Sequence, residues 1–148
     1  MLLNLPCFGV VQPGRIYRAG SPRAPRHFDH VRELGIRTLV CVRGGGATRE
    51  LRDFAAQLRT ELIEFDLGPD RAYDVVAARD AARTALEARH QPALVFCDGG
   101  RHRAGMVVAM IRMQQGFSLH AALAEYYSYA EPWPFADNVL FIASSFRK

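Results

Sequence analysis

One stretch of the chain, from Ala93 to Gly116, constrains the fold more than any other. Pro92 interrupts what precedes it, and Ala93-Leu94-Val95-Phe96 is a short apolar run of the kind that makes a buried strand. Cys97-Asp98-Gly99-Gly100-Arg101-His102-Arg103-Ala104-Gly105 follows directly. Met106, Val107, Met110 and Ile111 then recur at helical spacing as far as Gln115, and Gly116 is placed to stop the helix. A strand therefore feeds a tight loop, the loop feeds a helix, and a cysteine sits where the strand ends.

That order favours one chemistry. A helix N-terminus offers unsatisfied N–H groups and the positive end of the peptide dipole, which favours a thiolate over a thiol. The same groups can cradle a tetrahedral oxyanion such as phosphate. Gly99 and Gly100 allow the backbone to curl without Cβ clashes. Arg103, on the return limb of the loop, can offer a planar two-pronged grip on phosphate oxygens. The pattern is a phosphate cup with a nucleophile at its base. The competing reading is a structural cysteine buried at a strand end. The glycines, the arginine and the following helix weigh against it.

These residues resemble the loop of the cysteine-dependent dual-specificity and protein tyrosine phosphatases, which usually reads His-Cys-x-x-Gly-x-x-Arg-Ser/Thr-Gly. Cys97, Gly100, Arg103 and Gly105 match it. The pair Arg101-His102 looks most like the plant and fungal atypical dual-specificity phosphatases. So do Arg15-Ile16-Tyr17-Arg18-Ala19-Gly20-Ser21-Pro22 and Leu34-Gly35-Ile36-Arg37-Thr38-Leu39-Val40 upstream. The resemblance covers roughly residues 13–116. It implies the phosphatase α/β fold, a cysteinyl-phosphate intermediate on Cys97, and a binding loop formed by Asp98, Gly99, Gly100, Arg101, His102, Ala104 and Gly105 around Arg103. It implies no metal and no cofactor. Two positions depart from the pattern: Phe96 replaces the family histidine, and Ala104 replaces the hydroxyl residue that helps the sulfur leave when the phosphoenzyme is hydrolysed. A phosphate-binding module with impaired turnover is the alternative that these departures raise. A sulfurtransferase also sets a cysteine in a loop before a helix, but the arginine spacing suits phosphate better.

The 148 residues predict a single domain, 1–148, large enough for a proper core. Hydrophobic content of 49% with 23% charged residues excludes a disordered chain. The net charge is +4, but the arginines are spread along the chain, so no nucleic-acid-binding surface is indicated. Cys7, Cys41 and Cys97 are odd in number and lack metal-ligand spacing, which suggests a reducing, cytoplasmic setting. No apolar run is long enough for a membrane span, and the N-terminus does not read as a signal peptide.

Strand and helix patterns alternate, which predicts a central, mostly parallel sheet with helices on both faces. Residues 1–14 read as a lead-in ending at Pro13-Gly14, followed by a strand at Ile16-Tyr17. Pro25 opens a helix closed by Gly35, and its His27 and His30 read as solvated rather than as metal ligands. Thr38–Val42 is the next strand, running into Arg43-Gly44-Gly45-Gly46. Sites in parallel sheets form at the carboxyl ends of strands, so Arg43 is either a further phosphate contact or a surface arginine. Cys41 is a candidate for a reversible disulfide with Cys97. Thr48 and Ser118 look like helix caps, Leu62–Leu67 like a strand, and 72–90 like a long helix.

A thiolate that cleaves a phosphate ester needs an acid for the departing oxygen. The family places an aspartate upstream, often as Asp-x-x-Pro. Asp66 with Pro69 fits that form best, Asp70 is the alternative, and Asp74 comes third. Arg101, His102, Arg43 and Arg18 could add positive potential around the cup and favour a multiply charged anion. The resemblance suggests an inositol polyphosphate or pyrophosphate, or else a phosphorylated protein, as substrate.

Overall fold

The computed structural model describes residues 5–70 and 72–146. Five strands, β1 (Gly9–Gln12), β2 (Ile16–Gly20), β3 (Thr38–Cys41), β4 (Glu61–Glu64) and β5 (Ala93–Cys97), form one sheet in the order β1-β2-β5-β3-β4. β2, β5, β3 and β4 are parallel, and β1 pairs antiparallel with β2. Helices α1 (Pro25–Glu33) and α2 (Arg49–Leu58) cover one face. α3 (Val75–Leu86), α4 (Arg103–Gln114), α5 (Leu119–Ala130) and α6 (Ala136–Ser145) cover the other. This is the mostly parallel α/β sheet with helices on both faces that the alternating pattern predicts. No helix among the described residues is long and apolar enough to cross a membrane.

β5 is the centre of the sheet. All five of its residues are buried, as befits a parallel strand packed on both faces. Its side chains alternate: Leu94 and Phe96 join the core under α1 and α2, whereas Ala93, Val95 and Cys97 face α3 to α6. α4 is buried almost throughout its first nine residues, because α3, α5 and α6 all pack around it. Ala78, Ala81, Ala82 and Ala85 give α3 a flat face, which lets it lie close against α4. Thr48 caps α2 by accepting the N–H of Leu51, and Ser118 caps α5 by accepting that of Ala121.

Three expectations need correction. Gly9–Gln12 is a strand rather than a lead-in; Pro13-Gly14 turns it back onto β2, with Gly14 at φ 73° and Arg15 N–H donating to the Gln12 carbonyl at 2.9 Å. β1 is four residues long with Val10 exposed, so it carries almost no apolar signal. The helix expected over 72–90 begins at Val75 and ends at Leu86; Asp74 caps it, and a single 3₁₀ turn follows. His27 and His30 are structural acceptors, not solvated side chains. His27 Nδ1 accepts the N–H groups of Arg23 and Ala24, and His30 Nδ1 accepts that of Leu5. Burial pushes both imidazoles below their ordinary range, which keeps those nitrogens free to accept.

Candidate active site

The parallel register of β2, β5 and β3 delivers three loops to one edge of the sheet, with Gly20 beside Cys97 and Cys41 beside Phe96. Cys97 ends β5, and its side chain turns towards the N-terminus of α4. Its Sγ accepts the Gly100 N–H at 3.2 Å. The residue is only 6% exposed, at the base of a cup of about 170 Å³. Asp98, Gly99, Arg101 and His102 curl around that base, and Arg103 and Asp70 stand on its wall. Gly44, Tyr73 and Phe135 complete the lining.

Gly100 makes the curl possible. Its φ is 79°, and a Cβ there would lie 2.5 Å from Gly20 N and 2.6 Å from the Ala19 carbonyl carbon. Gly99 has open space around it, so only one of the two glycines is obligatory. The loop is tied down by Ser21 N–H donating to the Asp98 carbonyl at 3.2 Å and by Arg18 donating to the Gly100 carbonyl at 3.2 Å. Arg18 is fully buried, its guanidinium 3.7 Å from the Tyr129 ring centre and 3.8 Å from Glu125. Burial pushes its pKa below the ordinary arginine value, opposed by Glu125. Arg18 thus lies beneath the loop as an anchor and not on the rim of the cup.

The guanidinium of Arg103 donates to the Gly68 carbonyl at 2.9 Å and pairs with Asp70 at 3.2 Å. Its Nε is buried with no hydrogen-bond partner among the described residues. A buried donor left unmade is costly, and an oxyanion in the cup would satisfy it.

The three aspartates separate cleanly. Asp70 lines the cup, pairs with Arg103 and accepts the Tyr73 hydroxyl at 3.3 Å. Asp66 is turned away: its Oδ1 accepts the Gly68 N–H at 2.8 Å, and it lines a separate depression with Arg43, Gly45 and Gly46. Asp74 accepts the N–H groups of Val76 and Ala77 as the cap of α3. The Asp-x-x-Pro form favours Asp66, but the Gly68 turn (φ 80°) carries the chain onward so that Asp70, not Asp66, reaches Arg103.

The other basic residues are engaged as well. Arg43 pairs with the Asp98 carboxylate through Nε and donates to the Gly46 carbonyl at 2.7 Å. Arg101 donates to the Tyr129 and Glu131 carbonyls at the end of α5. His102 stacks on Phe135 at 3.8 Å, and its Nδ1 meets the Tyr126 hydroxyl and the Asn138 amide. Burial and then Arg101 push its pKa below the ordinary imidazole range, opposed by Asp70. Tyr73, Phe135 and Arg23 are participants that reading the sequence did not single out. Each lies in a loop with no spacing rule; the position of Tyr73 three residues after Asp70 was the one available signal.

Phe96 and Ala104, the two departures from the loop pattern, are both fully buried. Phe96 points to the face opposite Cys97, among α1 and α2. Ala104, the second residue of α4, has no hydroxyl to offer the sulfur. Cys41 also faces away from Cys97, packed with Phe96, so the disulfide considered above has no geometry to form. Burial pushes the Cys41 thiol up to about 11.

Comparison with known proteins agrees with this geometry. The pattern described as "Tyrosine phosphatase family" matches residues 2–145. Inositol diphosphatase DSP3 of Arabidopsis thaliana is 28% identical over 123 residues, covering 80% of this chain and 60% of that protein. Inositol diphosphatase DSP2 of Oryza sativa subsp. japonica is 30% identical over 129 residues, covering 83% and 61%. The chain thus spans about three fifths of the length of these curated relatives. The core catalytic domain of the PP-IP phosphatase SIW14 from S. cerevisiae superposes with a TM-score of 0.89 at 25% identity, covering 97% of this chain and 87% of that one. With a matching pattern over nearly its whole length, a shared fold and a strand–loop–helix cup of the expected form, the chain belongs to the tyrosine phosphatase family.

Proposed function

We propose that this chain is a phosphatase that cleaves phosphate esters or phosphoanhydrides through a cysteinyl-phosphate intermediate. One observation carries the reading: a cup of about 170 Å³ has the Cys97 sulfur at its base and Arg103 and Asp70 on its wall. The Cys97 thiolate attacks phosphorus, forming the S–P bond as the bond to the leaving oxygen breaks. Arg103 and the loop N–H groups hold the equatorial oxygens as charge redistributes. The incoming phosphate competes with Asp70 for Arg103 and frees the carboxylate, which takes up a proton from solvent, faces the leaving oxygen and gives that proton to it. Water then attacks phosphorus, Asp70 takes the proton from that water, and the S–P bond breaks to regenerate the thiolate.

The second step lacks one element. Ala104 supplies no hydroxyl to stabilise the departing sulfur, so breakdown of the intermediate is the slow step. The plant relatives are named inositol diphosphatases and the family is named for tyrosine phosphatases, so inositol phosphates and phosphorylated proteins are the two substrate classes. Rapid mixing with p-nitrophenyl phosphate tests the proposal: a burst of one equivalent followed by slower release, with phosphate recovered on Cys97 after acid quench. Absence of both burst and turnover, or a Cys97→Ser variant as active as the parent, refutes it.

A further inference from the structure

On β2, Ile16 packs with the core under α3 to α6, and Tyr17 and Ala19 pack with the opposite core. The two-residue period puts Arg18 on the face of Ile16, where a parallel strand ordinarily carries an aliphatic side chain. Arg18 is fully buried there, and its Nε and Nη1 have no hydrogen-bond partner among the described residues. The Tyr129 ring covers the guanidinium at 3.7 Å. Glu125, already held by Arg112 at 2.7 Å, stands 3.8 Å away. Burying a cation and leaving two of its donors unmade is costly. Packing alone does not call for it, since methionine would fill the place without that cost. The one hydrogen bond that the side chain makes among the described residues goes to the Gly100 carbonyl, at 3.2 Å.

That bond has a stereochemical consequence. A trans peptide is planar, so a carbonyl and the N–H that follows it point in opposite directions. Gly100 is the one residue of 97–103 that does not line the cup. Arg18 draws its carbonyl behind the loop, which turns the Arg101 N–H forward. The Asp98 carbonyl is held back in the same way, by Ser21 N–H at 3.2 Å and by Arg23 at 3.5 Å, which turns the Gly99 N–H forward. Neither the Gly99 nor the Arg101 N–H has an acceptor among the described residues. Two amides thus face the cup, and different groups behind the loop hold their peptide planes.

We propose that Arg18 is a positioning residue for phosphoryl transfer: by holding the Gly100 carbonyl behind the loop, it aims the Arg101 N–H at the oxygens of the bound phosphoryl group. This rests on the phosphatase reading, which already calls on the loop amides, and names the side chain that aims one of them. Arg18 itself touches no substrate. A donor fixed before the phosphate arrives needs no reorganisation as charge builds on the oxygens, so its effect falls on the chemical step.

Backbone amide NMR of the chain titrated with inorganic phosphate reads the aim directly. In the parent, the Gly99 and Arg101 amide protons should both move downfield. Arg18→Met should abolish the movement at Arg101 and keep that at Gly99, whose peptide plane is held from Ser21. Arg18→Lys, which keeps a cationic donor, should return part of it. With p-nitrophenyl phosphate, Arg18→Met should lower kcat by about 10–100-fold and leave KM within about threefold, and Arg18→Lys should recover part of the loss. Arg18→Gln, whose amide stops short of the carbonyl, takes the place of Arg18→Met where that variant does not fold. An Arg101 amide that phosphate leaves unmoved in the parent overturns the inference. So does a methionine or glutamine variant that keeps the Arg101 movement and kcat. Loss of the Gly99 and Arg101 movements together also overturns it, because that marks a merely structural role. A parent that shows the stated shifts but hydrolyses no ester sinks the phosphatase reading while the aiming role of Arg18 stands.

Discussion

Replacing Gly100 by alanine would set a methyl group against the neighbouring strand. The backbone at Gly100 has φ 79°, and the added Cβ would sit 2.5 Å from Gly20 N and 2.6 Å from the Ala19 carbonyl carbon. Two costs add. A left-handed conformation costs a residue with a Cβ roughly 1–2 kcal/mol. Overpacking against main chain costs about 1–3 kcal/mol more, because β2 is held by β1 on one side and β5 on the other and cannot step back. The sum is about 2–5 kcal/mol, which for a chain of this size lowers Tm by about 5–20 °C. Gly99→Ala is the matched control: a Cβ there would meet nothing within 4 Å and its φ is outside the left-handed region, so its stability change should stay within about 0.5 kcal/mol. Differential scanning calorimetry of the two variants beside the parent decides it. The Gly100 amide is also the group that meets Cys97 Sγ, so the alanine variant should lose turnover as well as stability. Equal melting temperatures for the two alanine variants would refute the claim that close approach to β2 shapes the loop.

Further outcomes follow from the same geometry. Asp70→Asn should lower kcat by about 10²–10⁴-fold on an ester with a poor leaving group, whereas Asp66→Asn should leave kcat nearly unchanged; the reverse order in steady-state assays would reinstate Asp66. Ala104→Ser should speed breakdown of the intermediate by about tenfold, since a hydrogen bond to a charged sulfur contributes at least about 1.5 kcal/mol, and stopped-flow traces should lose their burst; a burst that persists unchanged shows that the hydroxyl is not limiting. Cys41 should resist iodoacetamide in the folded chain and give no Cys41–Cys97 linked peptide after mild peroxide, as read by mass spectrometry. Stability should fall on mild acidification. His27, His30 and His102 have folded-state pKa values below their unfolded value of 6.5, so the unfolded chain binds more protons there. Their contribution is present above 6.5 and is lost as pH falls towards the folded-state values, so Tm should drop between about pH 7 and about pH 5, and His27→Gln should flatten that drop.

The strand–loop–helix unit was legible in the sequence because each of its parts carries a strong local signal: an apolar run, paired glycines, a helical period and a stop. The caps Thr48 and Ser118 were legible for the same reason. Asp70 was not preferred, because the turn at Gly68 redirects the chain in a way that motif spacing does not encode. The partners of the rim charges were hidden on similar grounds. The arginines are visible as letters, but their partners are Asp98, two carbonyls at the end of α5, and a tyrosine ring beneath Arg18, all distant in sequence. β1 escaped notice because an edge strand of four residues has too few apolar positions to register.

The alternation along β5 sets a limit on how this family member can be altered. Phe96 and Cys97 are adjacent letters that serve opposite sides of the sheet, one wedged among aliphatic and aromatic neighbours, the other open to a guest. Point changes among the apolar letters of β5 would perturb only packing. Inserting one residue upstream, with pairing to β2 and β3 kept, would carry Phe96 into the position of Cys97 and present a phenyl ring where the sulfur belongs. The length of that short segment, more than its composition, guards the reactivity of this protein.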